Sequence, residues 1–568
     1  MTAHGTLPNW VTKRGGRLVP FDGDKVCRAV FAAGERVGRP DPFLARELTD
    51  GVLHFLAEDG ADDPLPTDRL AEVVITIVRE LGHPALAQSF LQYRTAKARL
   101  PAVAQDRSDD GLSADDSLGR LIARDPLCGF PAAARELTRR AAGAAFAAFS
   151  RRCVYPRDLV AAEREGLLHF LDLDAPLELA GATVEPNPPA GRSAGPGWVE
   201  ALEAARERVG GFVAIDSPEH VLAPFGPVSG AGAWVRELRI GLRATGLRAV
   251  VNLNIAATPA WAFAGGGGPL FPPPSDHETD RIADLSDALL DHLLDGDTSS
   301  VRIDWHLGER DFRPPQRNRL LRLVRRVLDG APMSFVSDRP RRPVVLSEGL
   351  DRQHPAVLGV VGINLPRLLA IASPEGSPTV EPSPFLAKLG SLARLALSAG
   401  HARREHLRRS ARAAVTQGFL LDRARLMIVP FGLDSVVRTV TGQSASAGGS
   451  SLEFTCHILQ TLYATLQNDP PRHFPACLDA MPPCAAIDER GAFVPDDRDG
   501  TPRQHLRAAG VLHTVVEAGT AVVRLPGERS PSPEEVAHLL WYAWQQPGLV
   551  RVRFVRQFPA RRQLSAGW

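Results

Sequence analysis

Lysine is nearly missing from this chain. Only Lys13, Lys25, Lys97 and Lys388 occur among 66 basic residues, and with 65 acidic ones the formal net charge is +1. That balance leaves no electrostatic footprint for nucleic acid or an anionic membrane surface. Long apolar runs are lacking too. None reaches the roughly eighteen residues of a membrane span, and the opening MTAHGTLPNW has no apolar signal segment. A cytoplasmic protein with no membrane or nucleic-acid partner is expected. Cysteines are few and scattered, at 27, 128, 153, 456, 477 and 484. Without a C-x-x-C pair they indicate neither a disulfide framework nor a zinc ribbon, and no metal is expected. No internal repeat of about 20–50 residues stands out.

Two of the four lysines fall in one short stretch, Trp10 to Arg28, WVTKRGGRLVPFDGDKVCR. Val11 to Lys13 and Arg17 to Phe21 read as strands, and Gly15-Gly16 between them is a hairpin signal because tight turns need φ > 0. Asp22 is placed to cap a helix whose Val26, Ala29, Val30, Ala33 and Val37 recur at helical spacing. Lys13, Arg14, Arg17 and Lys25 gather around this unit. In a chain that otherwise writes Arg, Lys is a compact point charge suited to phosphate oxygens. Leu44 to Leu56, Arg69 to Leu81 and Ala85 to Arg99 follow as amphipathic helices.

VTKRGGRLVPFDGDKV resembles the start of the ATP-cone, a nucleotide-sensing domain of many ribonucleotide reductases and of a related repressor. Gly15 stands where the family usually has an acidic or amide residue. Leu65-Pro66-Thr67-Asp68 and the ending ALAQSFLQYRTAKAR continue the resemblance over about ninety residues. It implies ATP or dATP as an effector. Lys13, Lys25 and Arg14 would meet phosphate, and Val19, Pro20, Phe21 and Asp22 would line the nucleotide. Thr67 would sit at a helix N-terminus, where free N–H groups favour anions, and Arg94 would close the site.

At 568 residues the chain is long enough for more than one domain. The Asp/Ser-rich stretch AVAQDRSDDGLSADDSLGR reads as a linker, giving a cone over 1–100, a linker over 101–120 and a body over 121–568. In the body, strands are expected at Gly211 to Ile215, Leu247 to Ile255, Ser300 to Trp305, Val357 to Leu365 and Val550 to Phe554. Helices are expected at Leu159 to Leu171, Asp276 to Leu294, Gln316 to Leu328, Pro384 to Ala414, Leu452 to Leu466 and Pro533 to Trp544. Gly442 to Ser451 reads as a flexible loop and Gly510 to Arg524 as β-rich. The alternation of strands and helices indicates an α/β body with parallel sheet.

EGLLHFLD (165–172), NLNIAATPAW (252–261), GINLPRLL (362–369), FGLDSVVRTVTG (431–442) and the segments around Gly510 to Phe554 resemble, in order, the class III anaerobic ribonucleoside-triphosphate reductases. That resemblance implies a glycyl-radical-enzyme-like ten-stranded α/β barrel around a finger loop. It does not bring the chemistry with it. The family's thiyl cysteine lies shortly before INLPR, yet Phe335 to His354 contains none. Its zinc cysteines and glycyl-radical segment have no counterpart, Gly567 standing among unmatched neighbours.

Other constellations are weaker. Cys477 and Cys484 with His457, His473 and His505 fit no common zinc spacing. Gly265 to Gly268 lacks the Lys-Ser/Thr of a P-loop. Arg403, Arg404, Arg408, Arg409 and Arg412 read as a solvated helix face, and Asp304 and His306 as polar strand-end residues. No catalytic residue is assigned. The expected protein is an ATP/dATP-binding regulator with a degenerate reductase-like body, partnered by a second copy or a ribonucleotide reductase subunit. The alternative is an active reductase subunit that takes its radical from a second chain. A transcriptional regulator is disfavoured by the neutral charge.

Overall fold

The computed structural model describes residues 7–13, 15–58, 63–99, 141–184, 197–223, 230–255, 276–314, 316–340, 342–373, 382–410, 420–468, 475–480, 500–525 and 531–556. Strands β1 (Trp10–Thr12) and β2 (Leu18–Pro20) pair antiparallel, and β3 (Leu65–Pro66) joins β1 in parallel. Gly16, at φ +75°, takes the left-handed position of the hairpin turn. Four helices pack on this sheet: α1 (Gly23–Arg36), α2 (Pro42–Glu58), α3 (Thr67–Glu80) and α4 (Pro84–Arg99). Their buried stripes, among them Val26, Val30, Val52, Leu56, Val74 and Val78, form an apolar core of their own.

The body is built on one large sheet. Its strands are β4 (Leu168–Phe170), β5 (Leu179–Val184), β6 (Val209–Asp216), β7 (Arg248–Leu253), β8 (Val301–Leu307), β9 (Met333–Ser337), β12 (Ala356–Asn364), β13 (Arg425–Phe431), β14 (Ala476–Leu478), β15 (Thr520–Leu525) and β16 (Arg551–Arg556). Ten of them follow the order β14-β13-β12-β5-β6-β7-β8-β9-β16-β15, with β4 on the side of β12. Neighbours are parallel except where β5 meets β12 and β16 meets β9. Two sets of five parallel strands thus run in opposite directions. Between β9 and β12 the chain turns into a short hairpin, β10 (Val345–Ser347) and β11 (Leu350–Asp351), which is not part of the large sheet.

Helices cover the outer face: α5 (Arg157–Arg164), α6 (Trp198–Arg206), α7 (Ala231–Thr245), α8 (Asp276–Leu294), α9 (Gln316–Leu328), α10 (Leu365–Ala372), α11 (Pro382–Ser410), α12 (Leu433–Thr441), α13 (Gly449–Asn468), α14 (Pro502–Val516) and α15 (Pro533–Gln545). Period-two alternation sorts the strand side chains. In β8, Val301, Ile303, Trp305 and Leu307 join the core beneath the helices, leaving Arg302, Asp304 and His306 on the opposite, inner face. On that inner face Leu346 and Leu350 of the hairpin pack with Phe212, Ala214, Val357, Val360, Met427 and Val429.

Three expectations need correction. The helix expected over Leu159 to Leu171 stops at Arg164, because Gly166 takes φ +75° and Leu168–Phe170 pairs with β12. The β-rich reading of Gly510 to Arg524 holds only for β15. A Thr501/Gln504 capping box starts α14, and its Leu506, Ala509, Leu512 and Val516 are buried at helical spacing, which outweighs their local β preference. Gly442 to Ser451 is tied down: Ser444 donates to Asp434 Oδ1 at 2.7 Å, and Ser444, Ser446 and Ser451 are buried. The linker over 101–120 lies outside the described residues, as do Gly265 to Gly268, Arg412, His473, Cys484 and Gly567.

Candidate functional site

The N-terminal hairpin brings two helix starts to one small sheet. Lys13 N–H donates to Arg17 O (2.9 Å) and Gly16 N–H to Lys13 O (2.8 Å), so the turn holds Lys13 at the end of β1. Thr67 opens α3, and its hydroxyl donates to Thr12 O at 2.8 Å, setting the free N–H groups of α3 beside Lys13. β2 leads into Asp22, which accepts from Asp24 N–H at 3.1 Å and so caps α1. Lys25, in the first turn of α1, is exposed, its Nζ 3.5 Å from Asp22 Oδ2. β1 and β2 are three residues long, about 7 Å, and β3 two, so both helix starts and both lysines border one small sheet.

The remaining expected residues divide. Arg94 of α4 pairs with Asp68 in the first turn of α3, beside Thr67. Pro20 is exposed and Val19 half-buried. Phe21 is 2% exposed within the apolar core, where its side chain holds the hairpin against α1. Its backbone N–H is bonded to Asn9 O. Arg14 lies outside the described residues.

A second polar cluster occupies the inner face of the large sheet and centres on the hairpin tip, Glu348-Gly349. Glu348 is 1% exposed. Its carboxylate accepts from Arg302 Nη1 (3.0 Å) and Nη2 (2.9 Å), and Ser347 Oγ donates to it at 3.0 Å. Arg551 Nη1 stands 3.3 Å away and Arg553 Nη2 3.9 Å. Burial pushes the Glu348 pKa up, but Arg302, Arg551 and Arg553 outweigh it and hold the carboxyl well below its usual range. Asp304 shares Arg302 (3.0 Å) and Arg551 (3.0 Å). Gly349 takes φ +69°, donates its N–H to Asp479 Oδ2 (2.8 Å) and accepts from Arg425 Nε (2.6 Å). Burial, followed by the Glu348 charge, raises the Asp479 pKa to about 6. The tip is thereby held from β8, β13, β16 and the residue following β14.

Asp304 and His306 do not pair with each other. His306 Nδ1 lies 2.7 Å from Asp338 and its Nε2 3.0 Å from Asn252 Oδ1. The arginines of α11 divide: Arg403 is 1% exposed and Arg404 is largely buried against Asp422, while Arg408 and Arg409 lie on the exposed face, paired with Asp422 and Glu405. Cys477, on β14, is a buried thiol whose pKa burial pushes up to about 12. His457 is exposed and His505 buried, on different helices. Among the described residues no three His, Cys, Asp or Glu side chains gather as a metal site, and no helix is long and apolar enough to cross a membrane.

Neither the tip cluster nor the contacts joining α2 to α11 were foreseen from the sequence. A signal existed for the first. Charged residues alternate with apolar ones in VRIDWHL and RVRFVR, and a strand whose apolar side lies under helices must turn its charges inward. For Glu348 itself there was none.

Residues 10–99 match the family model of the ATP cone domain, and an ATP-cone domain stands at the N-terminus. The chain is 33% identical over 107 residues to the transcriptional repressor NrdR of Rhodopseudomonas palustris, covering 18% of this chain and 64% of the repressor. It is 31% identical over 104 residues to NrdR of Caulobacter vibrioides, covering 18% and 64%. The chain thus spans a little under two thirds of the length of these repressors. The body has the fold of anaerobic ribonucleotide reductases. The Thermotoga maritima enzyme with citrate in the active site superposes with a TM-score of 0.55 at 13% identity, over 78% of this chain and 94% of that one. The same enzyme with dATP bound in the specificity site gives 0.55 at 14%, over 79% and 89%.

Proposed function

We propose that this chain is an ATP- or dATP-binding regulatory protein, a nucleotide-sensing cone over 1–100 joined through 101–120 to a body that keeps the reductase fold without its chemistry. Glu348 at the hairpin tip carries the second half of this reading. In the family a finger-loop cysteine forms a thiyl radical that takes hydrogen from ribose, whereas Phe335 to His354, the stretch before INLPR, holds no cysteine. The hairpin tip in that stretch is Glu348, held as a carboxylate by Arg302 and Arg551, with no S–H bond to exchange and no readily abstracted hydrogen. The first half is supported by Lys13 and Lys25 at the borders of one sheet with the α1 and α3 N-termini, an arrangement suited to a polyphosphate. Thr67 and Arg94 complete it from α3 and α4. No metal takes part in this reading, and the protein acts in the cytoplasm.

Calorimetric titration of ATP and dATP into the wild type and a Lys13→Ala/Lys25→Ala variant tests the cone. Binding is expected in the first and lost in the second; equal binding in both would move the site elsewhere. Nucleotide is further expected to shift the elution volume of the protein, alone or with a ribonucleotide reductase subunit, and an unchanged profile would remove assembly from the reading. The rival reading, an active subunit supplied with a radical by a second chain, draws on the breadth of the fold match. It requires ribonucleotide turnover when such a chain is added.

A further inference from the structure

The cone is not a loose appendage. Helix α2 lies along α11, and Phe43 of α2, 3% exposed, belongs to the body's apolar core. Around it the contact is polar. Lys388, Ser391, Arg394 and Ser398 recur at three- and four-residue steps and so share one face of α11. Lys388 Nζ pairs with Glu47, Ser391 Oγ donates to Asp50 Oδ2 at 2.7 Å, and Arg394 Nη1 reaches the same oxygen at 2.9 Å. Ser398 Oγ donates to Asp24 Oδ1 at 2.7 Å. Arg46, 4% exposed, clamps the cone side, with Nη1 on Asp24 Oδ1 (2.9 Å) and Nε on Asp50 Oδ1 (3.0 Å).

Asp24 occupies the first turn of α1 between the cap Asp22 and Lys25. A carboxylate there opposes a polyphosphate unless its charge is taken up, and Arg46 of the cone with Ser398 of the body takes it up. Although burial pushes the Asp24 pKa upward, Arg46, Ser398, His401 and Arg28 together hold it below the usual value. At the other end of the same helix, Arg403 donates to Leu358 O (2.9 Å), Ala175 O and Glu178 O (2.8 Å each), and faces Asp172 at 3.3 Å. Leu358 lies in β12, the strand that follows the Glu348 hairpin. Lys388 and Arg403 are separated by about 22 Å of unbroken helix.

We propose that nucleotide binding to the cone and docking of α11 onto α1 and α2 are one linked equilibrium, so that α11 is the element through which the body reads cone occupancy. This rests on the reading of Lys13 and Lys25 as nucleotide ligands. Docking shields Asp24 and favours nucleotide; by reciprocity, nucleotide tightens docking.

The test uses the full chain, with ATP titrated calorimetrically into wild type, Ser398→Ala, Lys388→Ala/Arg394→Ala and Ser398→Ala/Asp24→Asn. Ser398→Ala removes one hydroxyl from a helix, and circular dichroism checks that the fold is kept. The body-side variants touch no part of the hairpin, yet the ATP Kd is expected to rise about fivefold or more, the lower range of allosteric coupling. The Asp24→Asn combination is expected to return it toward wild type, since the unshielded charge is gone. Hydrogen exchange over 388–403 and 356–364 is expected to slow when ATP is added to the wild type. Intact ATP binding with Kd unchanged within twofold in every variant, and unchanged exchange, would overturn the linkage alone. A wild type that binds no ATP would overturn the nucleotide reading and the linkage with it.

Discussion

Arg302 Nη2 and Glu348 Oε2 lie 2.9 Å apart on the inner face of the large sheet, at the point where a short hairpin meets it. Glu348→Cys places a thiol at that tip but leaves Arg302, Arg551 and Arg553 with Asp304 alone for compensation. A loss of about 3–5 kcal/mol is expected, the usual cost of removing one partner from a buried ion pair. Urea unfolding measures it. A variant as stable as wild type would show that the arginines do not hold the hairpin.

Asp479 gives the protein a pH dependence of identifiable sign. Its folded pKa of about 6 lies above the ordinary 3.8, chiefly through burial. Folding therefore favours its protonated form, and the stability it contributes is full below about pH 4 and lost as pH rises through 6. Between pH 4.5 and 7 wild type is expected to lose about 2 kcal/mol relative to Asp479→Asn. Glu348 and Asp24 run the other way, their depressed values costing stability only as acid approaches the carboxylate range. Unfolding curves of both proteins across that window decide it, and parallel curves would contradict the assignment.

Gly362 sits on β12 under the ring of Phe431, and a Cβ there would come within 2.0 Å of the ring. Gly362→Ala is expected to cost about 1–3 kcal/mol by overpacking. Phe431→Leu in the same chain should recover part of that cost, giving strong non-additivity in a double-mutant cycle. Additive effects would mean that the strand relaxes by another route.

Thr67→Val keeps the shape of the residue but removes its hydrogen bond to Thr12 O. Stability should fall by about 1 kcal/mol. The Kd for ATP should rise several-fold as α3 loses its register against β1. Calorimetry on a variant that melts normally separates the two effects, and an unchanged Kd would take Thr67 out of the site.

The cone was legible because its signals are local: Gly15-Gly16 makes the turn, Asp22 the cap and Val26, Val30 and Ala33 the stripe. Strands β6, β7, β8 and β12 were legible as apolar runs between helices. β5, LAGATV, was not, being short and rich in small residues, and β10 and β11 are too brief for any periodicity to declare them. The branched residues of VLHTVV favour a strand, in keeping with a β-rich reading of Gly510 to Arg524, while the capping box at Thr501 and the buried helical stripe decide for helix. Phe21 stood in the expected nucleotide site, but the burial that makes it a core residue is a tertiary fact. The polar face of α11 against the cone depends on partners 341 to 374 residues distant in sequence, beyond the reach of local pattern.

The strand order also has a consequence for synthesis. β16, Arg551–Arg556, is inserted between β9 and β15, and β9 has no other neighbour on that side. A nascent chain on the ribosome that has not yet released these residues carries an open strand edge at β9 and a Glu348 hairpin lacking Arg551 and Arg553. Such an edge is a template for pairing with other chains. The edge of β9 is therefore covered only once β16 has been made, and until then it stays open to pairing.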